Sequence, residues 1–152
     1  MTNRARVIRL LAVALAAVIA LTAAPAPAAT PAEVKNSTKI FKQVNQKREN
    51  HNLRALNRHK CLQRFANRQA QRMANQRRMF HQDLRPILNT CGLRSAGENV
   101  AYTSGPATSV VGAWMHSPGH KANILGNYRL TGVAVRKGGG YWWAAQVFGR
   151  KG

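Results

Sequence analysis

Two histidines lie close together in residues 112–127, GAWMHSPGHKANILGN. His116 and His120 have the i, i+4 spacing with which a helix binds zinc, but Pro118 stands between them. The residue before a proline is pushed out of the α region, and proline is favoured at the first helical position. We therefore expect Ser117 to cap a helix that begins at Pro118. Since no glutamate follows His116, an H-E-x-x-H metalloprotease is excluded.

Ser117 can also be interpreted as a nucleophile with His120 and Glu98 as partners. The capping role explains this serine without a further assumption, and the G-x-S-x-G elbow of serine hydrolases is absent from the sequence. The sequence also lacks the glycine-rich phosphate loops G-x-x-x-x-G-K-[ST] and G-x-G-x-x-G. The glycines at 138–140 are therefore interpreted as a hairpin turn.

Four polar residues share one site hypothesis: His81, Glu98, His120 and Gln146. Their local sequences are MFHQD, AGENVAY, SPGHKAN and AAQVFG, each rich in aromatic residues or glycine. Spacing alone does not bring them together. The alternative is structural, with His81 at a helix end and Glu98 as an internal hydrogen-bond acceptor.

The N-terminus has the pattern of a secretory signal peptide over residues 1–28. Arginines precede an unbroken apolar run at 10–21, and A-x-A cleavage sites follow, ending at Ala28. The alternative is an uncleaved anchor, but the run is short for a span of about 20 residues. We expect cleavage near Ala28 and a secreted protein.

The two cysteines, Cys61 and Cys91, are expected to form one disulfide, because an exported chain meets an oxidising compartment. A catalytic or metal-binding thiol is the alternative. Neither cysteine has a second cysteine at a ligand spacing, which disfavours that interpretation.

The charge is strongly unbalanced, with 24 Lys and Arg against four acidic residues. Such a chain attracts polyanions, although an arginine-rich composition can also reflect genome base composition. One helical stripe at i, i+4, i+8 concentrates this charge in Arg64, Arg68 and Arg72. We interpret it either as a solvated face or as a face for an anionic partner.

The periodicities predict an α+β fold in which helices pack on a small antiparallel sheet. A flexible lead-in over 29–36 precedes a domain at 37–150. Helices are expected from Ser37, over 60–79 and from Val110, with an irregular segment at 83–96. Strands are expected over 98–102, 130–135 and 141–148, the last two as a hairpin.

Several blocks together resemble the CAP superfamily, also called the SCP domain, in its short bacterial secreted branch. This superfamily includes cysteine-rich secretory proteins, antigen 5 and pathogenesis-related class 1 proteins. The resemblance runs from about residue 40 to 149. It rests on the blocks VNQKRENHNLRAL, FH, GENVA, WM, SPGHKANIL, GVA, YW and QVFG, in that order.

The resemblance implies an α-β-α sandwich with a central cleft where His81 and Glu98 lie together and His120 lies at or near the rim. In many members two histidines and two acidic residues line the cleft and can hold a divalent metal. Here no acidic residue follows Glu98, and the second histidine's strand position falls near Tyr141 or Trp142. An oxygen-rich site is excluded, and a weak zinc site of His81, Glu98 and His120 is the remaining metal hypothesis.

The preferred function is a non-enzymatic extracellular binding domain for a lipid, wall polymer or other polyanion, acting as a monomer. The alternative is a metal-assisted hydrolase or peptidase with Glu98 as general base and His81 or His120 as ligand or acid. Nucleic-acid binding through Trp142 and Trp143 is disfavoured. Export argues against it, and adjacent strand residues point to opposite sides of the sheet.

Overall fold

A computed structural model describes residues 27–152; most of the expected signal peptide lies outside them. The helices are α1 (Pro31–Glu49), α2 (Lys60–Gln76), α3 (Arg85–Cys91), α4 (Val110–His116) and α5 (Pro118–Leu125). The strands are β1 (Asn57–Arg58), β2 (Ser95–Thr103), β3 (Leu130–Gly138) and β4 (Tyr141–Arg150). No helix in this part of the chain is both long and apolar enough to cross a membrane.

The strands form one sheet in the order β1-β3-β4-β2. β4 pairs antiparallel with β3, which confirms the predicted hairpin, and also pairs antiparallel with β2. The sheet also contains one parallel pairing that the sequence did not predict, at the edge where Asn57 and Arg58 pair with β3. Two residues carry too little hydrophobic alternation to be recognised as a strand.

Helices cover both faces of the sheet, which confirms the predicted α-β-α sandwich. On one face α2 and α3 pack through Leu62, Met73 and Ile87 against β-strand residues such as Val147. On the other face α1, α4 and α5 pack through Ile40, Val44, Trp114 and Ile124 against residues such as Phe148. Trp142 and Trp143 contact opposite cores, and Trp143 is only 3% exposed.

The start of α1 corrects the sequence interpretation. The helix begins at Pro31, not at Ser37, so most of the expected flexible lead-in at 29–36 is helical. Thr30 Oγ1 accepts a hydrogen bond from the Glu33 N–H, and the Thr30 N–H donates to Glu33 Oε2, which together form a capping box. Ser37 instead lies inside the helix, where its hydroxyl oxygen accepts from the N–H of Val135 on β3.

The segment expected to be irregular at 83–96 contains helix α3. A proline within its first turn and Gly92, with φ of +61° just past its end, are ordinary helix boundaries. The predicted disulfide is confirmed between Cys61 and Cys91, whose Cα atoms are 5.7 Å apart. It joins the start of α2 to the end of α3. The residues between the two cysteines, which include His81, therefore form a covalently closed loop.

Arg48 is fully buried near the end of α1 and has no carboxylate beside it among the described residues. Its guanidinium donates to the carbonyl oxygens of Arg54, Ile124, Gly126 and Tyr128 at 2.7–3.3 Å. Burial, together with the positive charge of a neighbouring arginine, lowers the pKa of Arg48. These bonds fix α1 against the end of α5.

Candidate functional site

Glu98 lies on β2, an edge strand, with its carboxylate turned towards the α2 and α3 side of the sheet. The side chain is only 2% exposed. Oε1 accepts from Nδ1 of His81 at 2.8 Å and from the Gln82 N–H at 3.1 Å. Oε2 accepts from the Gln82 side-chain amide. Three donors therefore hold this carboxylate in a single orientation.

His81 belongs to the loop between α2 and α3, and the structure confirms the implied neighbourhood with Glu98. Its side chain is 59% exposed, so the ring nitrogen that does not face Glu98 can meet solvent or a ligand. Gln82 is a site residue that the sequence analysis missed. Its position in the sequence does not distinguish it from the other polar residues of the loop, so no sequence signal could have identified it.

His120 lies in the first turn of α5, which begins at Pro118 as the sequence predicts. The predicted cap is only partly right, because Ser117 occupies the N-cap position without a side-chain bond to the backbone. Its Oγ is instead 2.9 Å from Nδ1 of His120. Partial burial, with the nearby positive form of His81 adding repulsion, lowers the pKa of His120.

An amide network fixes α5 against the strand that carries Glu98. The Asn99 side-chain amide donates to the backbone carbonyl of His120 at 3.0 Å. The Asn123 amide donates to the Glu98 carbonyl at 3.1 Å and to Oδ1 of Asn99 at 2.9 Å. At Gly97 a Cβ atom would lie 2.6 Å from the Tyr128 hydroxyl. The glycine is therefore required for this close approach.

Gln146 is not part of the cleft, which corrects the four-residue hypothesis. Glu98 pairs with Val147 and Asn99 pairs with Gln146, so Gln146 points to the opposite face of the sheet from Glu98. It is fully buried there, and its amide donates to Thr131 Oγ1 at 3.2 Å. The structure therefore brings His81, Gln82 and Glu98 together through hydrogen bonds, while His120 is close enough to His81 for their charges to repel.

The residues present do not fit a zinc site of His81, Glu98 and His120. Within residues 27–152, no three His, Cys, Asp or Glu side chains are grouped so that they could hold a metal ion. Nδ1 of His81 and both carboxylate oxygens of Glu98 are already hydrogen-bonded to each other or to Gln82. Within residues 27–152 Glu98 bonds to His81 and Gln82 and makes no hydrogen bond to His120. The alternative triad of Ser117, His120 and Glu98 is therefore not formed.

A second candidate region is the arginine face, which we define as Arg64, Arg68 and Arg72. All three lie on α2, and two of them lie over the rings of Phe65 and Phe80 at 5.4 and 5.6 Å. The ion pairs among residues 27–152 are His81–Glu98 and Arg85–Asp83, so the arginine face has no carboxylate partner there.

Comparison with known proteins assigns the fold to a family. The model of the CAP, or cysteine-rich secretory protein, family matches residues 41–148. The chain belongs to the CAP family. The match confirms the resemblance and spans the two histidines of the cleft, Glu98 and both cysteines.

The CAP domain is similar to the uncharacterized protein YkwD of Bacillus subtilis strain 168, with 30% identity over 112 residues. The match covers 68% of this chain but 44% of YkwD, so the chain spans less than half of that relative. An extracellular SCP-domain protein from Bacillus anthracis is 26% identical with a TM-score of 0.71, over 82% of this chain and 45% of that one. An outer surface protein from Borrelia burgdorferi shares the fold at 19% identity and a TM-score of 0.69, over 78% and 94% of the two chains.

Proposed function

We propose that this CAP domain is exported and acts outside the cell as a non-enzymatic binding protein, and that its arginine face binds an anionic polymer or an anionic lipid surface. The observation that carries the proposal is the arginine face itself, three guanidinium groups in one row without a carboxylate partner within residues 27–152. Like charges at i, i+4 repel one another by a few tenths of a kcal/mol per pair. An anionic partner would relieve that repulsion.

The four acidic residues support the proposal, because each is engaged elsewhere. Glu33 accepts from two backbone N–H groups, and Glu98 is enclosed in the cleft. Asp83 pairs with Arg85, and Glu49 accepts from Gln46. No acidic residue therefore offsets the charge of α2, and the surrounding field is strongly positive.

Export is supported by the signal-like N-terminus and by the disulfide, which suits an oxidising compartment. Two of the similar structures are an extracellular protein from Bacillus anthracis and an outer surface protein from Borrelia burgdorferi. A chain that reaches the cell exterior meets anionic wall polymers and lipid head groups, which share a repeated negative charge.

The test measures binding of the full chain to purified teichoic acid and to phosphatidylglycerol vesicles at several salt concentrations. If three guanidiniums are neutralised in the complex, affinity should fall roughly 20- to 40-fold between about 50 and 200 mM salt. Replacing Arg64, Arg68 and Arg72 with Gln should remove most of that salt dependence. The matched control replaces three other exposed arginines, Arg54, Arg94 and Arg150.

Equal losses in the two triple variants would show that only net charge matters and would overturn the assignment to the arginine face. Binding that is indifferent to salt would overturn the polyanion proposal as a whole. Preference for teichoic acid over vesicles, or the reverse, identifies the source of the anion.

A hydrolase is the second candidate, because of the 2.8 Å contact between His81 and Glu98. The structure does not favour Glu98 as the general base, because three donors enclose its carboxylate while His81 is exposed. In such an arrangement His81 would accept the proton and Glu98 would orient the ring. A Glu98→Gln variant that folds but loses peptide or wall-fragment hydrolysis at least about 100-fold would support this alternative. Full activity in that variant would refute it.

A further inference from the structure

An aromatic groove lies at the tip of the β3–β4 hairpin and adjoins the arginine face, because Arg78 of the groove and Arg72 lie over the same ring, that of Phe80. Four large apolar side chains are strongly exposed within residues 27–152, and three of them line this groove: Met79, Tyr102 and Tyr141, at 47, 52 and 41%. The groove holds about 400 Å³, within the range of small-ligand clefts. Exposed apolar side chains gathered in one place indicate a binding surface.

The rings of the groove are held in fixed positions. Tyr102 stacks on Trp143 with centroids 5.1 Å apart and an interplanar angle of 27°. Tyr141 meets the edge of Tyr102 at 5.6 Å and 71°. Trp143 is 3% exposed, and its indole N–H donates to the carbonyl of Gly138 at 2.9 Å. A buried base therefore supports two exposed rings, so a ligand would meet an ordered surface.

Two arginines form the opposite wall of the groove. Arg77 ends α2 in the left-handed conformation at φ of 49°, which is uncommon for a residue with a side chain. Its side chain lies against Gly139, where a Cβ atom would be 3.0 Å from Arg77 Cδ. Arg78 lies over the ring of Phe80 at 5.1 Å. Neither arginine has a carboxylate partner in the described part of the chain.

We propose that this groove binds an anionic carbohydrate, with a sugar ring on Tyr102 and Tyr141 and its charged group on Arg77 and Arg78. A sugar ring presents a face of C–H groups with positive partial charge, and the face of an aromatic ring is negative. The planar guanidinium matches a carboxylate, sulfate or phosphate in two-point contacts. The inference rests on the proposed function and deepens it, because it adds a sugar to the anionic ligand and places it in the groove beside the arginine face.

The groove combines aromatic rings with arginines, which favours an anionic sugar over a polyanion without rings. The arginines alone would be enough to bind such a polyanion. A bare polyanion gains nothing from two exposed tyrosines, and an apolar ligand gains nothing from two unpaired guanidiniums. An acidic peptide satisfies the charges but offers no flat ring face of C–H groups. These ligands are therefore the comparison arms of the test.

The experiment titrates the full chain with a heparin hexasaccharide and with an oligogalacturonide, which carry sulfate and carboxylate groups respectively. Neutral maltohexaose, polyphosphate and oligoglutamate are the comparison ligands, and calorimetry gives the affinities. We expect both anionic sugars to bind more tightly than every comparison ligand. Tryptophan fluorescence should change on binding, because Tyr102 stacks on Trp143, and this change should be absent in Trp143→Phe.

The deciding variants remove the rings and the charges separately. Tyr102→Ala and Tyr141→Ala should each weaken sugar binding about tenfold, a loss equivalent to about 1.4 kcal/mol. Tyr102→Phe should retain it, since the ring remains. Replacing Arg77 and Arg78 with Gln should weaken binding more than replacing Arg64 and Arg68, which removes the same charge from the arginine face.

Full affinity in both tyrosine-to-alanine variants, with loss in the arginine-face variant, would overturn the inference and leave the proposed function standing. Equal binding of polyphosphate or oligoglutamate would also overturn it. Loss only in the groove variants would support the inference and remove the arginine face as the principal site. Both tyrosines are largely exposed, so their replacement should not unfold the domain.

Discussion

The cleft and the arginine face use charge in opposite ways. In the cleft, the carboxylate of Glu98 is enclosed and bonded to His81 and Gln82. On the arginine face, the three guanidiniums lack a carboxylate partner within residues 27–152. A charge that is already paired holds the protein together, while an unpaired surface charge is available to a partner. Mutations in the cleft should therefore lower stability more than binding. Mutations on the arginine face should lower binding more than stability.

The largest effect on stability is expected for Glu98→Ala. The change leaves the Gln82 donors and His81 without their acceptor, which should cost about 2 kcal/mol because part of the network can reach water. Urea denaturation measures this loss. The exposed Glu49→Ala is the control and should change stability by less than about 0.5 kcal/mol. Equal losses in the two variants would contradict the stabilising role assigned to the hydrogen bonds of Glu98.

A smaller effect is expected at His120, whose pKa is lowered by burial and by repulsion from His81. The folded protein binds this proton less readily than the unfolded chain. The associated stability is therefore complete above the ordinary pKa of about 6.5 and is lost as the pH falls from there through the lowered pKa of the folded protein. In His120→Gln, melting temperature should decline less between about pH 7.5 and 5.5 than in the wild type. The exposed His116→Gln should leave that decline unchanged, and an unaltered decline in His120→Gln would refute the prediction.

The smallest effect is expected for Arg68→Glu on the arginine face. The new carboxylate would meet Arg64 and Arg72 at i, i+4, which should stabilise α2 by up to about 0.5 kcal/mol. Binding to an anionic polymer should fall at the same time. Arg68→Gln, measured by urea denaturation beside it, separates removal of the positive charge from formation of new pairs. A loss of more than about 1 kcal/mol in either variant would mean that Arg68 stabilises the fold through its contact with Phe65.

Much of the fold could be predicted, because strong periodicity marks the elements that pack most tightly. Leu62, Ala66 and Met73 identify α2, and the alternation around Val133 and Val135 identifies β3. The nearness of His81 and Glu98 is not readable from spacing. The two residues meet only because α2 packs on the sheet that contains β2, and a single sequence does not show that packing. The family resemblance is what predicts their nearness.

The errors have identifiable causes. The capping signature Thr30-Pro31-x-Glu33 is present in the sequence, but the Pro- and Ala-rich composition around it favours a loose chain. Grouping Gln146 with Glu98 is wrong because strand register cannot be read from a single sequence, and a shift of one residue reverses the face. The burial of Arg48 is equally hidden, because three of its carbonyl partners lie 76–80 residues away.

The position of β4 has a consequence for how the chain matures. β4 follows the other strands in the chain but lies between β3 and β2, so the sheet cannot assemble until the ten residues of β4 have been made. The first helix also depends on late residues, since Glu33 bonds to the N–H of Lys137, 104 positions further on. Contacts so distant in sequence slow folding. A nascent chain of this topology therefore has helices before it has its sheet, and the sheet forms only once β4 has been added.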